Sequence, residues 1–353
     1  MLPADLPADM PSFFRRFGTD DQCREHLFQA RWPGGFRCAA ETCSGTRCYP
    51  LSWRPAYECA DCGKQHSLLA GTIFEQTKTG LARWFLAIFL VTSSKRGISA
   101  AELQRQMGFG SYQTAWAWLH KIRRAMVDPK RAPLAEPIAG AVQTDESYLG
   151  AAKPGKRGRG AEGKAIIVGA VETRIVEVPK ARPKSGGNDA QAIGRPVETE
   201  PRLQLGRIRL AVIPDVSAAS LEPFVTANVA AAACIRTDGA KGYQGLPDEG
   251  FTHEPVNMSK LSKADLALQD PLSAAHLVFS HVKRWLLGTH HGGQSRKHLQ
   301  RYLDEFVFRF NRRRALSISH RFAKLVDFGV ATLHTPYWRI VGRSAPDLRL
   351  VER

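Results

Sequence analysis

The sequence predicts an α/β protein in which a mixed sheet follows a cysteine-rich segment and a module of three helices. Five of the seven cysteines lie close together near the N-terminus, helical patterns of apolar residues follow them, and strand-like runs alternate with helical patterns further on. Strands that alternate with helices form sheets with covered faces. We therefore divide the chain into residues 1–75 with the cysteine cluster, a helical module at 76–128, a linker at 129–139, an α/β domain at 140–315 and a C-terminal tail at 316–353.

The charge of the chain favours a polyanionic partner. It has 50 Lys and Arg against 33 Asp and Glu, which gives a formal net charge of +17. Such an excess produces a positive field around the protein, and nucleic acid is the polyanion that we expect it to bind. The sequence has neither a long apolar segment nor an N-terminal signal pattern, so we expect a cytoplasmic protein with no membrane partner.

Four cysteines have the spacing of ligands for a structural zinc ion. Cys38 and Cys43 form one pair, Cys59 and Cys62 form the second, and turn-forming glycines accompany both pairs. Four thiolates fill a tetrahedral shell and leave no open position for catalysis. The wide spacing of the first pair leaves open that Cys48 replaces Cys43, and buried thiols without a metal ion are the alternative.

Two further cysteines and one histidine are expected to lie outside the zinc site. Cys23 and Cys234 are predicted to be ordinary buried residues. His66 follows the second cysteine pair closely and could also ligate. A single histidine beside a full set of thiolates is more often a surface or core residue, so we do not include it in the predicted shell.

Residues 81–126 carry the patterns of three helices. LARWFLAIFLV at 81–91 is apolar on almost every face, and Ser99 with Glu102 forms a capping pattern for a second helix that extends to Met107. The third helix has an apolar face made of Ala115, Leu119, Ile122 and Met126. The short turn before the third helix is typical of helix-turn-helix DNA-binding modules, although three packed helices often form only a small core.

Basic and polar residues in three regions are candidate DNA contacts. Cations bind phosphate oxygens, and polar side chains near the start of a recognition helix reach base edges. The predicted contacts are Gln113, Lys121, Arg123 and Arg124 on the third helix, Lys156, Arg157 and Arg159 in KPGKRGRG at 153–160, and Arg284, Arg312 and Arg313 near the last helices. Each of these residues alone could equally belong to a solvated charged surface.

The region after residue 140 is predicted to form the sheet. The strand-like runs lie at 141–145, 165–171, 207–213 and 234–238, and a helix is predicted over 218–233. A last amphipathic helix carries Leu299, Leu303, Phe306 and Phe310 on one face. Residues 178–203 are rich in proline, glycine and charge, so we expect a mobile hairpin insertion or loop there.

Two aspartates end strand-like runs that lie far apart in the chain. Asp145 ends the first run and Asp238 ends the fourth. Carboxylates at the ends of neighbouring strands can hold two divalent ions about 3.5–4 Å apart, an arrangement that serves phosphoryl transfer. A strand-end aspartate is more often a turn or cap residue, so these two positions alone are weak evidence for a metal site.

Several stretches together resemble a known family. They are YECADCGKQHSLLAGTIFEQTKTGLARWFLAIFL at 57–90, KRGISAAELQRQMG at 95–108, QTDESYLG at 143–150, IRTDGAKGY at 235–243 and HLVFSHVKRWLLGTHHGGQSRKHLQRYLDEFVFRFNRR at 276–313. The chain is similar over most of residues 30–313 to the DDE insertion-sequence transposases that carry a zinc ribbon and an ISXO-type catalytic domain.

This resemblance implies an RNase H-like catalytic domain that uses Mg²⁺ or Mn²⁺. The positions that match the metal-binding aspartates of the family are Asp145 and Asp238. The third ligand falls in the block matched by FSHVKRW, where relatives carry Glu or Asn, so the corresponding residue here is His281, a departure from the DDE pattern. Lys283 matches a family lysine that could neutralise a phosphate. Acidic alternatives for the third ligand are Glu146, Asp265, Asp270 and Glu305.

The resemblance also implies a reaction and its partners. It indicates a bacterial, nucleoid-associated transposase that binds double-stranded transposon ends and target DNA as a homo-oligomer, cleaves DNA and joins the freed 3′-hydroxyl to a target without a nucleotide cofactor. Two alternatives stay open at this point. One is an inactive DNA-binding regulator or degenerate transposase, which the departure at His281 favours. The other is an RNase H-like nuclease that cleaves without joining.

Overall fold

The computed structural model describes residues 6–134, 141–150, 164–179, 199–257, 270–292, 294–315 and 317–343, which fall into two compact units. Unit 1 comprises Met1–Arg131, Trp285–Gln294 and Asp304–Arg353, and unit 2 comprises Ala132–Arg284 and Ser295–Leu303. The predicted residues Lys156, Arg157, Arg159 and Asp265 lie outside the described residues.

Groups of helices and groups of strands follow one another along the described chain. The helices are α1 (Met10–Phe17), α2 (Asp20–Arg31), α3 (Leu81–Ser93), α4 (Ala100–Met107), α5 (Tyr112–Ala125), α6 (Ala218–Asn228), α7 (Ser273–His290), α8 (Arg296–Asn311), α9 (Ile318–Ala331) and α10 (Tyr337–Val341). The strands are β1 (Cys48–Pro50), β2 (Ala56–Cys59), β3 (Gln65–Ser67), β4 (Val142–Leu149), β5 (Ala165–Pro179), β6 (Thr199–Ile213), β7 (Cys234–Thr237) and β8 (Thr252–Pro255). None of the described helices combines the length and the apolar character needed to cross a membrane.

Unit 1 has an aromatic core that draws on both ends of the chain. The ring of Phe17 in α1 lies 5.1 Å from that of Phe85 in α3 and 5.4 Å from that of Phe322 in α9. All three residues are buried in one apolar cluster. The predicted division at residues 75 and 316 is therefore corrected: the segment expected to be a C-terminal tail forms α9 and α10, and α9 packs with the N-terminal helices because its apolar face needs cover.

The three helices predicted at 81–126 are present as α3, α4 and α5. Ser99 Oγ accepts the backbone N–H of Glu102 at 3.1 Å, but the Glu102 carboxylate binds Arg105, so only half of the predicted capping box forms. The predicted apolar face of α5 is buried, and so are most of its other residues. Its exposed surface is made of Tyr112, Gln113, Thr114 and Arg124. A recognition helix needs an exposed face that can lie along the DNA groove. Recognition of DNA bases by α5 therefore stays a prediction, and it concerns the residues of the first helical turn.

One predicted DNA contact is part of the core of unit 1. Arg123 is 1% exposed, and its Nε donates to Glu305 Oε2 at 2.8 Å. Arg309 donates to the other oxygen of Glu305 at 2.9 Å. Burial alone would raise the pKa of Glu305, but the charges of Arg309 and Arg123 lower it to about 2. Arg123 therefore stabilises a buried carboxylate instead of binding phosphate, and Glu305 is not available as a metal ligand.

Unit 2 contains the predicted mixed sheet, which is consistent with an RNase H-like domain. Its five strands have the order β6-β5-β4-β7-β8. The pairs β4–β5 and β5–β6 are antiparallel, whereas β4–β7 and β7–β8 are parallel. All four predicted runs lie in or directly beside strands, and β8 was not predicted. Strand β4 continues to Leu149 because it pairs with β5 over its whole length, so Asp145 lies within the strand and does not end it as predicted. The predicted helix at 218–233 is shorter and ends at Asn228.

The hairpin formed by β5 and β6 is longer than expected. Its strands pair from Ile166 and Ile213 out to Pro179 and Thr199. Both ends of the predicted insertion at 178–203 are therefore strand, and residues 180–198 lie outside the described part of the chain. Strands β5 and β6 keep pairing along this length because their backbone N–H and C=O groups can hydrogen-bond to each other without a third strand.

Candidate metal sites

The four predicted zinc ligands meet in unit 1. The Sγ atoms of Cys38 and Cys62 lie 3.6 Å apart, and those of Cys43 and Cys59 lie 3.8 Å apart. All four sulfur atoms lie within 4.8 Å of one another. A tetrahedral zinc ion with Zn–S bonds of about 2.3 Å separates its sulfur ligands by about 3.8 Å. The cluster therefore has both the composition and the spacing of a structural zinc site.

Local turns aim these thiols at one point. The amide of Ala40 donates to Cys38 Sγ at 3.5 Å, and the amide of Gly45 donates to Cys43 Sγ at 3.4 Å. A Cβ at residue 45 would lie 2.8 Å from Cys59 Sγ, so only glycine leaves room for the ligand there. The cluster includes Cys43 and does not include Cys48, which settles the alternative left by the sequence.

The protonation of the thiols also fits a bound cation. The backbone amide of Asp61 helps to lower the pKa of Cys59 to about 7. For Cys43 the amide of Gly45 acts in the same direction, but the neighbouring thiols and burial raise the pKa to about 12. A second thiolate beside the first is unfavourable unless a cation balances the charge. His66 lies next to the shell, with Nε2 3.3 Å from Cys38 Sγ.

The remaining two cysteines have no place in this cluster. Cys23 is fully buried, as predicted, and burial raises the pKa of its thiol to about 12. Cys234 is half-buried at the start of β7, and burial with the nearby Glu254 raises the pKa of its thiol to about 11. Both thiols are protonated near neutral pH and act as ordinary packing residues.

A second cluster, made of carboxylates, lies on the neighbouring inner strands β4 and β7 of the sheet in unit 2. Strands β4 and β7 are parallel neighbours, and Val142 pairs with Ile235. Asp145 and Asp238 each lie three residues further along, so the pairing brings both to the same level. Their carboxylates and that of Glu146 offer oxygen atoms that all lie within 4.8 Å of one another. Asp238 also accepts the amide of Ala240 at 2.9 Å, so it has a turn role as well.

A buried tyrosine orients one of these carboxylates. Tyr243 lies in the helical turn after β7, is fully buried, and its hydroxyl donates to Glu146 Oε2 at 3.1 Å. Burial, together with the charges of Glu146 and Asp145, raises the pKa of Tyr243 well above its ordinary value. The tyrosine thus stays a hydrogen-bond donor, and the negative potential of the cluster reaches its hydroxyl.

A histidine from α7 completes the neighbourhood of the carboxylates. His276 Nε2 lies 3.3 Å from Asp145 Oδ2, and its Nδ1 lies 2.6 Å from Asp270 Oδ2. The hydrogen bond to Asp145 raises the pKa of His276 to about 9, against the opposing effect of burial and with a further contribution from Asp270. Asp270 also accepts the amide of Leu272 at 2.9 Å, just before α7 begins.

The donor set of this cluster suits a hard divalent cation. Oxygen ligands from carboxylates are preferred by Mg²⁺ and Mn²⁺, and a neighbouring imidazole suits Mn²⁺ and softer ions. Three carboxylates so close together repel one another unless protons or cations balance their charge. Asp145, Glu146 and Asp238 therefore fit such an ion, and His276 lies beside them as a protonated partner of Asp145.

The predicted third ligand lies elsewhere on the helix. His281 is exposed on α7 and is not in the carboxylate cluster, and Lys283 is exposed on the same helix. His276 was not predicted. It lies five residues before His281, and five residues along a helix rotate a side chain by more than a third of a turn, so the two histidines point in different directions. A ligand role of His281 therefore stays a prediction, which its position outside the carboxylate cluster does not support. Of the acidic alternatives in the described chain, Glu146 is in the cluster, and Asp270 contacts it through His276.

The described candidate DNA contacts differ in exposure. Gln113, Arg124, Arg284 and Arg313 are exposed. Lys121 is partly buried, with its ammonium group 5.9 Å from the ring centre of Trp84, while Arg312 stacks 4.4 Å over the ring of Phe308 and Arg313 stacks 4.0 Å over that of Phe310. Cations that cover aromatic rings in this way stabilise the fold and leave less of the charged group for phosphate.

Comparisons with known proteins match the two regions of the chain that contain these clusters. Residues 137–311 match the ISXO2-like transposase domain, and residues 18–65 match the transposase zinc-ribbon domain. The chain is 26% identical over 307 residues to an uncharacterized protein in transposable element ISH50 of Halobacterium salinarum, a match that covers 84% of this chain and 92% of the relative. No solved structure matches the chain significantly. Because the two matched domains together cover more than half of its residues, the chain belongs to the transposases that combine a zinc ribbon with an ISXO2-like domain.

Proposed function

We propose that this transposase binds double-stranded DNA ends, cleaves them in a reaction that depends on divalent metal ions, and joins the freed 3′-hydroxyl to target DNA. The observation that carries the proposal is the meeting of Asp145 and Glu146 with Asp238, which is distant from them in the chain; their carboxylate oxygens lie within 4.8 Å of one another. Such a cluster in a family of DNA-acting enzymes supports metal-dependent phosphoryl transfer.

Each residue of the cluster has a proposed task. Asp145 and Asp238 would hold Mg²⁺ or Mn²⁺, and Glu146, oriented by Tyr243, would share in this. His276, held by its contacts to Asp145 and Asp270, would take the third position in place of His281 after losing its Nε2 proton to solvent. When bound, the divalent ions supply activation of the attacking hydroxyl and stabilisation of the leaving oxygen. Lys283 is exposed on the same helix and is proposed to contact a DNA phosphate.

DNA is the proposed partner of both units. The formal net charge of +17 supports strong, salt-dependent attraction to phosphates. Gln113 and Arg124 on α5, Arg284 on α7 and Arg313 after α8 are the proposed contacts, because their side chains are exposed. Structural zinc held by the four cysteines would fix the ribbon, and assembly of several copies on DNA is part of the proposal because two ends must meet before joining.

A strand-transfer assay tests the proposal. The protein is incubated with labelled duplexes from the ends of its own element, with a supercoiled target and with Mg²⁺ or Mn²⁺. We expect nicked ends and labelled target in either metal and neither product in a chelator. Cleavage without labelled target would favour a nuclease that does not join, and binding without any cleavage would favour an inactive DNA-binding regulator. Normal activity of Asp145→Ala would overturn the proposed site.

A further inference from the structure

Gln143 lies beside the carboxylate cluster without belonging to it. It sits in β4 two residues before Asp145, so both side chains point to the same face of the strand. Its side chain is buried, with 1% of the residue exposed. Burying a polar amide is unfavourable unless it is hydrogen-bonded, so its bonding partners indicate why it is there.

Those partners are the first backbone amides of α7. Gln143 Oε1 accepts the N–H of Ala274 at 2.9 Å and the N–H of Ala275 at 3.2 Å. The first four N–H groups of a helix have no partner within the helix and are normally satisfied by a capping residue just before it. Here an amide from a strand more than a hundred residues earlier satisfies two of them. Gln143 thus acts as a cap supplied by the sheet.

The contact fixes the start of the helix that carries His276. His276 directly follows Ala275, so its backbone is held one residue after an amide that Gln143 binds. The same strand therefore carries Asp145 and anchors the helix whose histidine reaches Asp145 at 3.3 Å. A loss of this anchor would let the imidazole and the carboxylate move independently of each other.

A second contact holds α7 to the same face of the sheet. Gly169 in β5 pairs directly with Asp145, and the ring of Phe279 lies so close that a Cβ at residue 169 would be 3.0 Å from it. Phe279 is three residues after His276 and so lies near the same side of α7. The helix is thus held to the sheet at two points, through Gln143 two residues before Asp145 and through Gly169 at the level of Asp145.

We infer that Gln143 is a positioning residue of the active site, which sets His276 relative to Asp145 by capping α7. The expected effect on the cleavage rate rests on the proposed function. The hydrogen bonds of the cap are a property of the fold and do not depend on that function. Gln143 is buried and is not part of the carboxylate cluster. Its effect is expected in the rate of cleavage and in the affinity for the metal ion, and not in the affinity for DNA.

Three substitutions separate the cap from general stability. Gln143→Met keeps the length and volume of the side chain but removes the acceptor, whereas Gln143→Glu keeps an acceptor that the partial positive charge of a helix N-terminus favours. Gln300→Met is the matched control, because Gln300 Oε1 also accepts a backbone amide in unit 2, that of Val212 at 2.9 Å, away from the carboxylates.

We expect Gln143→Met to lower the single-turnover cleavage rate about tenfold to a hundredfold and to raise the half-saturating Mn²⁺ concentration, with an unchanged dissociation constant for DNA. Gln143→Glu should restore most of the rate. In Gln143→Met, hydrogen exchange at residues 274–275 should accelerate about fivefold for each lost hydrogen bond. Gln300→Met should have a similarly reduced melting temperature but normal cleavage.

The outcomes are distinct. Equal rates and Mn²⁺ requirements for Gln143→Met and the wild type would overturn the inference, as would a Gln300→Met variant with the same kinetic defect. If the wild type neither cleaves nor joins DNA, the proposed function fails, while Mn²⁺ titration and hydrogen exchange still decide the role of Gln143. If Gln143→Met does not fold, Gln143→Asn takes its place, because the shorter side chain cannot reach the backbone amides of α7. Gln143→Asn is then compared with Gln143→Glu. Equal Mn²⁺ affinities of these two variants would contradict the proposed cap.

Discussion

The two candidate metal sites of this protein are built in opposite ways. The thiolate cluster draws its four ligands from Cys38 to Cys62, and two local turns aim them at one point. The carboxylate cluster joins Asp145 with Asp238 through the pairing of parallel strands, and a histidine from a third region lies beside it. The first site depends on its own segment of chain, whereas the second depends on the folding of the whole of unit 2.

This difference determines which substitutions can damage each site. A local site fails when a ligand or a turn residue is lost, because little else holds it. A site assembled from distant segments fails as well when the contacts that dock those segments are changed, even where no ligand is touched. We therefore expect the carboxylate site to be sensitive to residues such as Gln143 and Gly169, and the thiolate site to be insensitive to them.

The largest expected effect is loss of the zinc ion. In Cys59→Ser one ligand is lost from a tetrahedral shell, and the ribbon loses a binding free energy of about 10 kcal/mol, as estimated for structural zinc in small modules. Zinc content should fall to near zero, and limited proteolysis should cleave the ribbon. Cys48→Ser is the matched control and should keep about one zinc ion per chain, because Cys48 lies outside the cluster. Loss of zinc in Cys48→Ser would contradict the Cys38, Cys43, Cys59 and Cys62 shell.

Substitution of the two cluster aspartates, Asp145 and Asp238, should have the next largest effect, on activity alone. Asp145→Asn and Asp238→Asn each remove a charge that would hold the divalent ions, and the cleavage rate should fall by about 10²–10³-fold, as for other essential electrostatic groups. Zinc content should stay normal in both variants, since the ribbon is independent. The measurement is single-turnover cleavage with atomic absorption for zinc.

Asp215 provides the matched control for this experiment. It follows the end of β6, and its carboxylate accepts the amide and hydroxyl of Ser217 and the hydroxyl of Ser220. It therefore has the ordinary role of a strand-end aspartate that caps a turn. Asp215→Asn should cleave DNA at nearly the wild-type rate. A defect as large as that of Asp145→Asn would mean that the aspartates act through folding and not through metal binding.

The sequence predicted the local parts of this molecule well. The spacing of the four cysteines identified the thiolate cluster, and the alternating runs identified four of the five strands of the mixed sheet. The helical periodicity of residues 81–126 likewise predicted α3, α4 and α5. These features depend on interactions between residues close in the chain or on one buried face, and such interactions leave a periodic or spaced pattern.

The parts that were missed depend on how segments dock. The phosphate role predicted for Arg123 fails because Glu305, far away in the chain, binds its guanidinium inside the core. His276 and His281 both lie at the borders of the buried face of α7, and the periodicity of the helix does not tell which border turns to Asp145. The docking of α7 by Gln143 makes that choice, and no single segment encodes it.

The comparison of the two histidines sharpens the description of the carboxylate site. His276→Ala should lower the cleavage rate about tenfold to a hundredfold, because it removes a group that contacts Asp145 and is held by Asp270. His281→Ala should change the rate less than about twofold, since an exposed side chain outside the cluster has no such contact. The test is single-turnover cleavage in Mg²⁺ and in Mn²⁺. The reverse order of the two effects would restore His281 as the third residue.

The smallest expected effect tests whether a change in packing alone, with no ligand altered, lowers the activity of the carboxylate site. Gly169→Ala places a methyl group 3.0 Å from the ring of Phe279 and from the side chain of Leu210, and overpacking of this kind costs about 1–3 kcal/mol. Because Phe279 is on the helix that carries His276, the strain should lower both the melting temperature and the cleavage rate, while zinc content stays normal. Phe279→Leu makes room for the methyl group, so the double variant should recover part of both losses, and a double-mutant cycle measures that coupling. Additive losses in the cycle would mean that Gly169 supports the sheet but does not hold α7 in place. The geometry of the carboxylate site would then not depend on the contact between Gly169 and Phe279.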